Sequence, residues 1–155
     1  MEVFLMKTLI VYDSVYGNTE KIARAIAEAI TPPDEVKVLR AGEANPLELE
    51  ATDILIVGSP THGGRPTPAI QDLLNKVPKL SKGINVAAFD TRIPTKLVRV
   101  FGYAAGRIAR NLKGKGGTLI ASPEGFFVTA SKGPLRDGEL ERAADWVKGI
   151  LESKK

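Results

Sequence analysis

Short β-prone runs alternate with helical stretches along the whole chain. Thr8-Leu9-Ile10-Val11-Tyr12, Ile54-Leu55-Ile56-Val57 and Val86-Ala87-Ala88-Phe89 are apolar at nearly every position. Such runs suit strands covered on both faces. Val36-Lys37-Val38-Leu39 is more polar and belongs nearer a sheet edge. Thr118-Leu119-Ile120-Ala121 makes a fifth strand, with Phe126-Phe127-Val128 as an extension of it. Between the strands lie apolar stripes at helical spacing. They are Ile22, Ala23, Ile26, Ala27 and Ile30; then Ile70, Leu73, Leu74 and Val77; then Val98, Phe101, Ala105, Ile108 and Leu112; then Leu140, Ala144, Val147 and Leu151. The first helix starts at Thr19 and is stopped by Pro32-Pro33. Asn45-Pro46 opens a short helix through Glu50, Thr67-Pro68 caps another, and Asp137 caps the last. The third stripe reads as one long helix reaching Lys113, on which Gly102 and Gly106 permit close packing against the sheet. Strict alternation predicts a parallel sheet with helices on both faces. The expectation is a three-layer α/β sandwich, a five-stranded parallel sheet of order 2-1-3-4-5, with its ligand beyond the carboxyl ends of the strands. Residues 1–155 read as a single domain, with Met1–Leu5 as a frayed extension before Met6.

Composition removes several chemistries. The chain has no cysteine and one histidine, His62. Disulfides, iron–sulfur ligation, thiolate zinc, cysteine nucleophiles and multi-histidine metal sites are excluded. Redox chemistry would therefore need a bound organic cofactor. The net charge of +4 is too small for a dedicated nucleic-acid binder. It suits acidic partners or a weak affinity for polyanions. The first residues lack a basic leader and a cleavage site, no apolar run is long enough to span a bilayer, and a cytoplasmic location is expected.

In the expected topology three loops meet at the switch point: Asp13–Thr19, Gly58–Pro66 and Asp90–Thr95. All are rich in glycine, hydroxyl and amide residues. Ser14-Val15-Tyr16-Gly17-Asn18-Thr19 joins a buried strand to a helix start. That junction presents free backbone N–H groups and the positive end of the helix dipole to a phosphate dianion. Ser14 and Thr19 add hydroxyls, Asn18 adds an amide, and Gly17 tolerates a positive φ. Competing motifs fail. Gly58 and Gly63 have P-loop spacing, but Gly64 stands where lysine is needed; neither G-x-G-x-x-G after the first strand nor G-x-S-x-G occurs.

Residues Tyr12 to Ala23 resemble the FMN phosphate loop of the flavodoxin family, whose pattern is [ST]-x-T-G-x-T. The version in the flavodoxin domains of flavodiiron proteins is especially similar, and Tyr16 takes the middle threonine's place. Val57-Gly58-Ser59-Pro60-Thr61-His62-Gly63-Gly64 resembles the second flavin loop. The resemblance covers nearly the whole chain and implies a flavodoxin-like fold with bound FMN. It places Ser14, Val15, Tyr16, Gly17, Asn18 and Thr19 at the phosphate. Pro60, Thr61, His62, Gly63 and Gly64 would line one side of the isoalloxazine, and Asp90, Thr91 and Arg92 the other. The family's stacking tryptophan and tyrosine are replaced. His62 stands at the first position, as a stacking group or as a solvent-exposed loop residue. Arg92 by its flat guanidinium, or Ile93, covers the other face.

The function implied is electron transfer by FMN between redox partner proteins. Gly63-Gly64 would let a peptide turn over near flavin N5, or form a flexible loop without redox role. Lys96, Arg99, Arg107, Arg110, Lys113 and Lys115 carry no acid among them between 95 and 115. That helix reads either as a docking face for an acidic partner, making the flavin less reducing than in acidic relatives, or as a solvated basic face. Two alternatives to the carrier are an NAD(P)H-dependent FMN reductase of quinones or flavins, and a non-redox module that no longer binds flavin.

Overall fold

The structure is a computed structural model that describes residues 5–80, 83–94 and 103–154. Within them β1 (Lys7–Tyr12), β2 (Glu35–Arg40), β3 (Ile54–Pro60), β4 (Asn85–Arg92), β5 (Thr118–Leu119) and β6 (Glu124–Phe127) form one sheet. Its order is β2-β1-β3-β4-β5, and every pairing is parallel. The expected order is the observed one. The fifth position is split: β5 pairs with Asn85 and Val86, and β6 pairs with Phe89 to Arg92 on the same strand. Ser122-Pro123 falls in the gap, where proline cannot donate to the ladder.

The helices are α1 (Asn18–Ala29), α2 (Pro46–Glu50), α3 (Pro68–Lys76), α4 (Ala104–Gly114) and α5 (Glu139–Lys154). Successive strand residues point to opposite faces. Leu9, Val11, Leu55, Val57, Val86 and Ala88 therefore pack with Leu49 of α2, Ile70, Leu73 and Leu74 of α3 and Ile108 and Leu112 of α4. Ile10, Tyr12, Ile54, Ile56, Ala87 and Phe89 pack with Ile22 and Ile26 of α1 and Val147 and Ile150 of α5. Three layers result, as the alternation predicts. Phe89, Phe126 and Trp146 meet edge to face with centroids 6.0–6.2 Å apart, tying β4, β6 and α5 together.

Five local readings are corrected. β3 runs on through Pro60 and β4 through Arg92, so Gly58 to Pro60 and Asp90 to Arg92 are strand ends, not loops. Tyr103 is extended at the start of α4, so the third stripe is not one continuous helix. Val98, Phe101 and Gly102 lie outside the described residues. A Cβ on Gly106 would meet nothing within 4 Å, so that glycine does not serve close packing. On α5 Val147 and Leu151 are buried as expected, but at its start Glu139 and Ala143 are buried, whereas Leu140 is 43% exposed. Glu139 turns in because its carboxylate accepts the Phe127 amide at 2.7 Å and pairs with Arg142. The helix begins at Glu139, two residues beyond the expected cap at Asp137. Of the N-terminal extension, Met1 to Phe4 lie outside the described residues.

Candidate functional site

At the carboxyl ends of β1, β3 and β4 lies a cleft of about 280 Å³. Ser14, Val15, Tyr16, Asn18 and Thr19 line it from the first junction, Pro60, Thr61 and His62 from the second, and Thr91 and Arg92 from the third. Gly17, Gly63, Gly64 and Asp90 are not on its wall; they hold the residues that are. Ile93, Val128 and Ser131 complete the lining.

The first junction is a set of donors with few internal acceptors. Gly17, at φ 92°, turns the chain into α1. Ser14 Oγ accepts from the Gly17 amide at 3.1 Å and the Glu20 amide at 3.3 Å, which leaves its own proton to donate. The amides of Tyr16, Asn18 and Thr19 have no partner among the described residues. They open the positive end of the helix dipole. Thr19 Oγ1 lies 2.8 Å from Thr91 Oγ1 in a buried pair. That bond laces α1 to β4, and one hydroxyl of the pair keeps a donor for a ligand. From outside, Arg40 reaches the Ser14 carbonyl at 3.4 Å, Glu20 at 3.3 Å and Asp13 at 3.8 Å. Arg24 and Arg40 hold the Glu20 carboxyl below the usual carboxylate range.

At the second junction His62 and Arg65 exchange both backbone hydrogen bonds. Gly63 and Gly64 between them have φ 58° and 78°, the signature of a type I′ turn. His62 is exposed at the cleft mouth, which agrees with the loop-residue reading and leaves it free to cover a ligand. The turn is not loose: Arg107 Nε of α4 donates to the Gly64 carbonyl at 2.8 Å. Thr61 Oγ1 accepts the Ala104 amide at 3.0 Å, which caps α4.

The third junction is built around a buried ion pair. Asp90 is fully buried and accepts Arg92 in a fork at 2.7 and 2.8 Å and the Ala105 amide at 2.9 Å. Burial pushes the Asp90 carboxyl up, against the pull of Arg92 and the Ala105 amide. One face of the Arg92 guanidinium lies 3.4 Å from the centre of the Tyr103 ring. A Cβ on Gly125 would come within 2.2 Å of Arg92 Cζ, so glycine backbone packs against the guanidinium there. In this structure Arg92 is thus a wall residue whose guanidinium is sandwiched. Asp90 anchors Arg92 and α4 from below the cleft.

Sequence reasoning missed Tyr103, Gly125, Val128 and Ser131. Tyr103 and Gly125 act through Arg92, and Val128 and Ser131 reach the cleft from a distant part of the chain, so no local motif marks them. Among the described residues no group of His, Asp and Glu is spaced for a metal, and no helix is long and apolar enough to cross a membrane.

An open doubly wound sheet with unpartnered amides at its first strand–helix junction has the architecture and the donors that suit an anionic, phosphorylated ligand. The family model described as Flavodoxin matches residues 10–146, and the chain belongs to the flavodoxin family. Over 102 residues it is 34% identical to a diflavin flavoprotein (A 4) of Nostoc sp. strain PCC 7120, covering 63% of this chain and 16% of that one. Over 82 residues it is 35% identical to an NAD(P)H dehydrogenase (quinone) of Gluconacetobacter diazotrophicus, covering 39% of this chain and 41% of that one. A flavodoxin from the domain Archaea superposes with a TM-score of 0.78 at 23% identity, over 96% of this chain and 98% of that one. Membership points to FMN as the cofactor and to electron transport as the role. The donors at the first junction fit that cofactor's phosphate: a hydroxyl proton and three amides, with no carboxylate lining the cleft.

Proposed function

We propose that residues 1–155 act as one domain that binds FMN in this cleft and carries electrons between redox partner proteins. What supports this most is the first junction, where unpartnered amides of α1 open into a cleft walled by all three strand ends. Ser14, Tyr16, Asn18 and Thr19 would hold the phosphate, with Gly17 setting the turn. Pro60, Thr61 and His62 would line one side of the ring. Thr91, Arg92 and Ile93 would line the other. Gly63 and Gly64 shape the second wall through their turn, and Asp90 shapes the third through Arg92. FMN supplies the electron chemistry through its isoalloxazine, and the protein sets its position and surroundings.

The chain's own residues restrict motion there. Arg107 fastens the Gly64 carbonyl, so turning of that peptide is opposed by a hydrogen bond to a cation. Arg107, Arg110 and Lys113 are exposed on α4 beside the second wall. We assign this face to an acidic redox partner and the cytoplasm as the compartment. Lys115 does not belong to the face, since its ammonium is turned onto the Leu74 carbonyl and burial lowers its pKa. Lys96 and Arg99 lie outside the described residues.

Titration of the purified protein with FMN, followed by its visible spectrum, tests the reading. Shifted and sharpened flavin bands with saturation are expected. An unchanged spectrum would favour the module that no longer binds flavin. The likeness to a quinone dehydrogenase supports a second reading, direct use of a nicotinamide and a quinone. Steady-state NADPH consumption with a quinone and no added reductase would mark it; a carrier shows none.

A further inference from the structure

The segment that follows β6 returns over the first junction. The Val128 amide donates to the Arg92 carbonyl at 2.9 Å, and Val128 bridges to Leu135. Inside that bridge the Gly133 amide donates to the Ala130 carbonyl, and the Thr129 amide to the Pro134 carbonyl, each at 2.9 Å. The result is a closed strap. Asn18 Nδ2 donates to the Lys132 carbonyl at 3.3 Å. A Cβ on Gly133 would lie 2.7 Å from Asn18 Oδ1, so the strap rests flat on that amide. This contact is why Asn18, at the open end of a helix, is only 8% exposed.

Two strap residues bear on the cleft. Ser131 lines it. Lys132 Nζ stands 5.9 Å from the centre of the Tyr16 ring, and Tyr16 lines the cleft as well. Lys132 makes no ion pair among the described residues. The junction beneath it, Ser14 to Thr19, contains no charged side chain. Helix amides and hydroxyls give a dianion partial charges only. A full positive charge held over an aromatic ring adds what the junction lacks.

We propose that Ser131 and Lys132 form the outer wall of the phosphate subsite, with the Lys132 ammonium as the counter-charge of a phosphate monoester and the Ser131 hydroxyl as a further donor. The proposal rests on the reading of the cleft as an FMN site. It makes the strap a specificity element: it favours the phosphorylated flavin over riboflavin, and its contribution is screened by salt.

The test uses the full chain and the variants Lys132→Gln and Lys132→Arg. FMN, riboflavin and inorganic phosphate are titrated by calorimetry at low and high salt. Lys132→Gln should weaken FMN about tenfold at low salt and leave riboflavin unchanged. Lys132→Arg should recover most of the loss, and the gap between wild type and Lys132→Gln should close at high salt. An FMN affinity untouched by Lys132→Gln, or equal losses for FMN and riboflavin, overturns the proposal. If wild-type protein takes up no FMN, the reading of the cleft fails, and inorganic phosphate decides the strap separately. Phosphate binding that weakens in Lys132→Gln upholds the strap. Phosphate binding that is absent, or unchanged in the variant, overturns it.

Discussion

The β1–α1 junction and the β4–α4 junction sit on the same cleft, yet they are built by opposite means. At β1–α1 the working groups are the backbone amides and short side chains of one six-residue run, Ser14 to Thr19. At β4–α4 the wall depends on Asp90, Arg92, Tyr103, Ala105 and Gly125, which meet only once the chain has folded. The first junction spends little on itself and leaves donors for a ligand. The second consumes its polar groups internally and supplies rigidity. A change at β4–α4 should therefore cost stability first, and a change at β1–α1 should cost ligand first.

The largest expected effect comes from Asp90→Ala. It leaves the Arg92 guanidinium without its carboxylate between Tyr103 and Gly125, with the side chain only 12% exposed. Breaking a buried pair from one side costs about 3–5 kcal/mol. Urea unfolding measures it, and a loss below about 1 kcal/mol would place the pair with ordinary surface pairs and break the contrast.

Next is Glu139→Gln, which separates scaffold from site. Burial pushes the Glu139 carboxyl up, but Arg142, the Phe127 amide and Arg136 outweigh it, and its pKa is lowered. Its stabilisation is present above the unfolded-state value, about 4.3. It is lost as pH falls through the folded-state value. The variant should lose about 2 kcal/mol at pH 7. Its stability should also fall less steeply with acid than the wild type's, with FMN affinity kept.

The smallest effect on stability is expected for Ser14→Ala. It removes the oxygen that receives the Gly17 and Glu20 amides, a capping loss of about 1 kcal/mol. It also removes a hydroxyl proton from the phosphate end, so FMN should weaken about tenfold. If Ser14→Ala were the more damaging to folding and Asp90→Ala the more damaging to FMN, the contrast would be reversed.

The same contrast explains what could be read in advance. Sheet order, helix faces on α1 and α3, and the phosphate run follow from local apolar periodicity and from a motif contained in one turn. The strand ends at Asp90, Thr91 and Arg92 were hidden because polar residues in a covered strand look like a loop until their partners are known. Tyr103 stacks on Arg92 from beyond the 90–95 stretch, where no local motif would place it. The strap at 128–136 carries no pattern of its own, and the φ of 100° at Gly133 and its contact with Asn18 together show why a glycine stands there. At the first turn of α5 Glu139 takes the interior in place of Leu140 through an amide and an arginine, which an apolar stripe does not encode.

Calorimetric titration of wild-type protein with FMN and with riboflavin tests the phosphate assignment most directly. The account predicts saturable heat with FMN and an affinity for riboflavin at least about a hundredfold weaker, the sum of several charge-assisted hydrogen bonds. Equal affinities for the two flavins, or no heat from FMN, would contradict it.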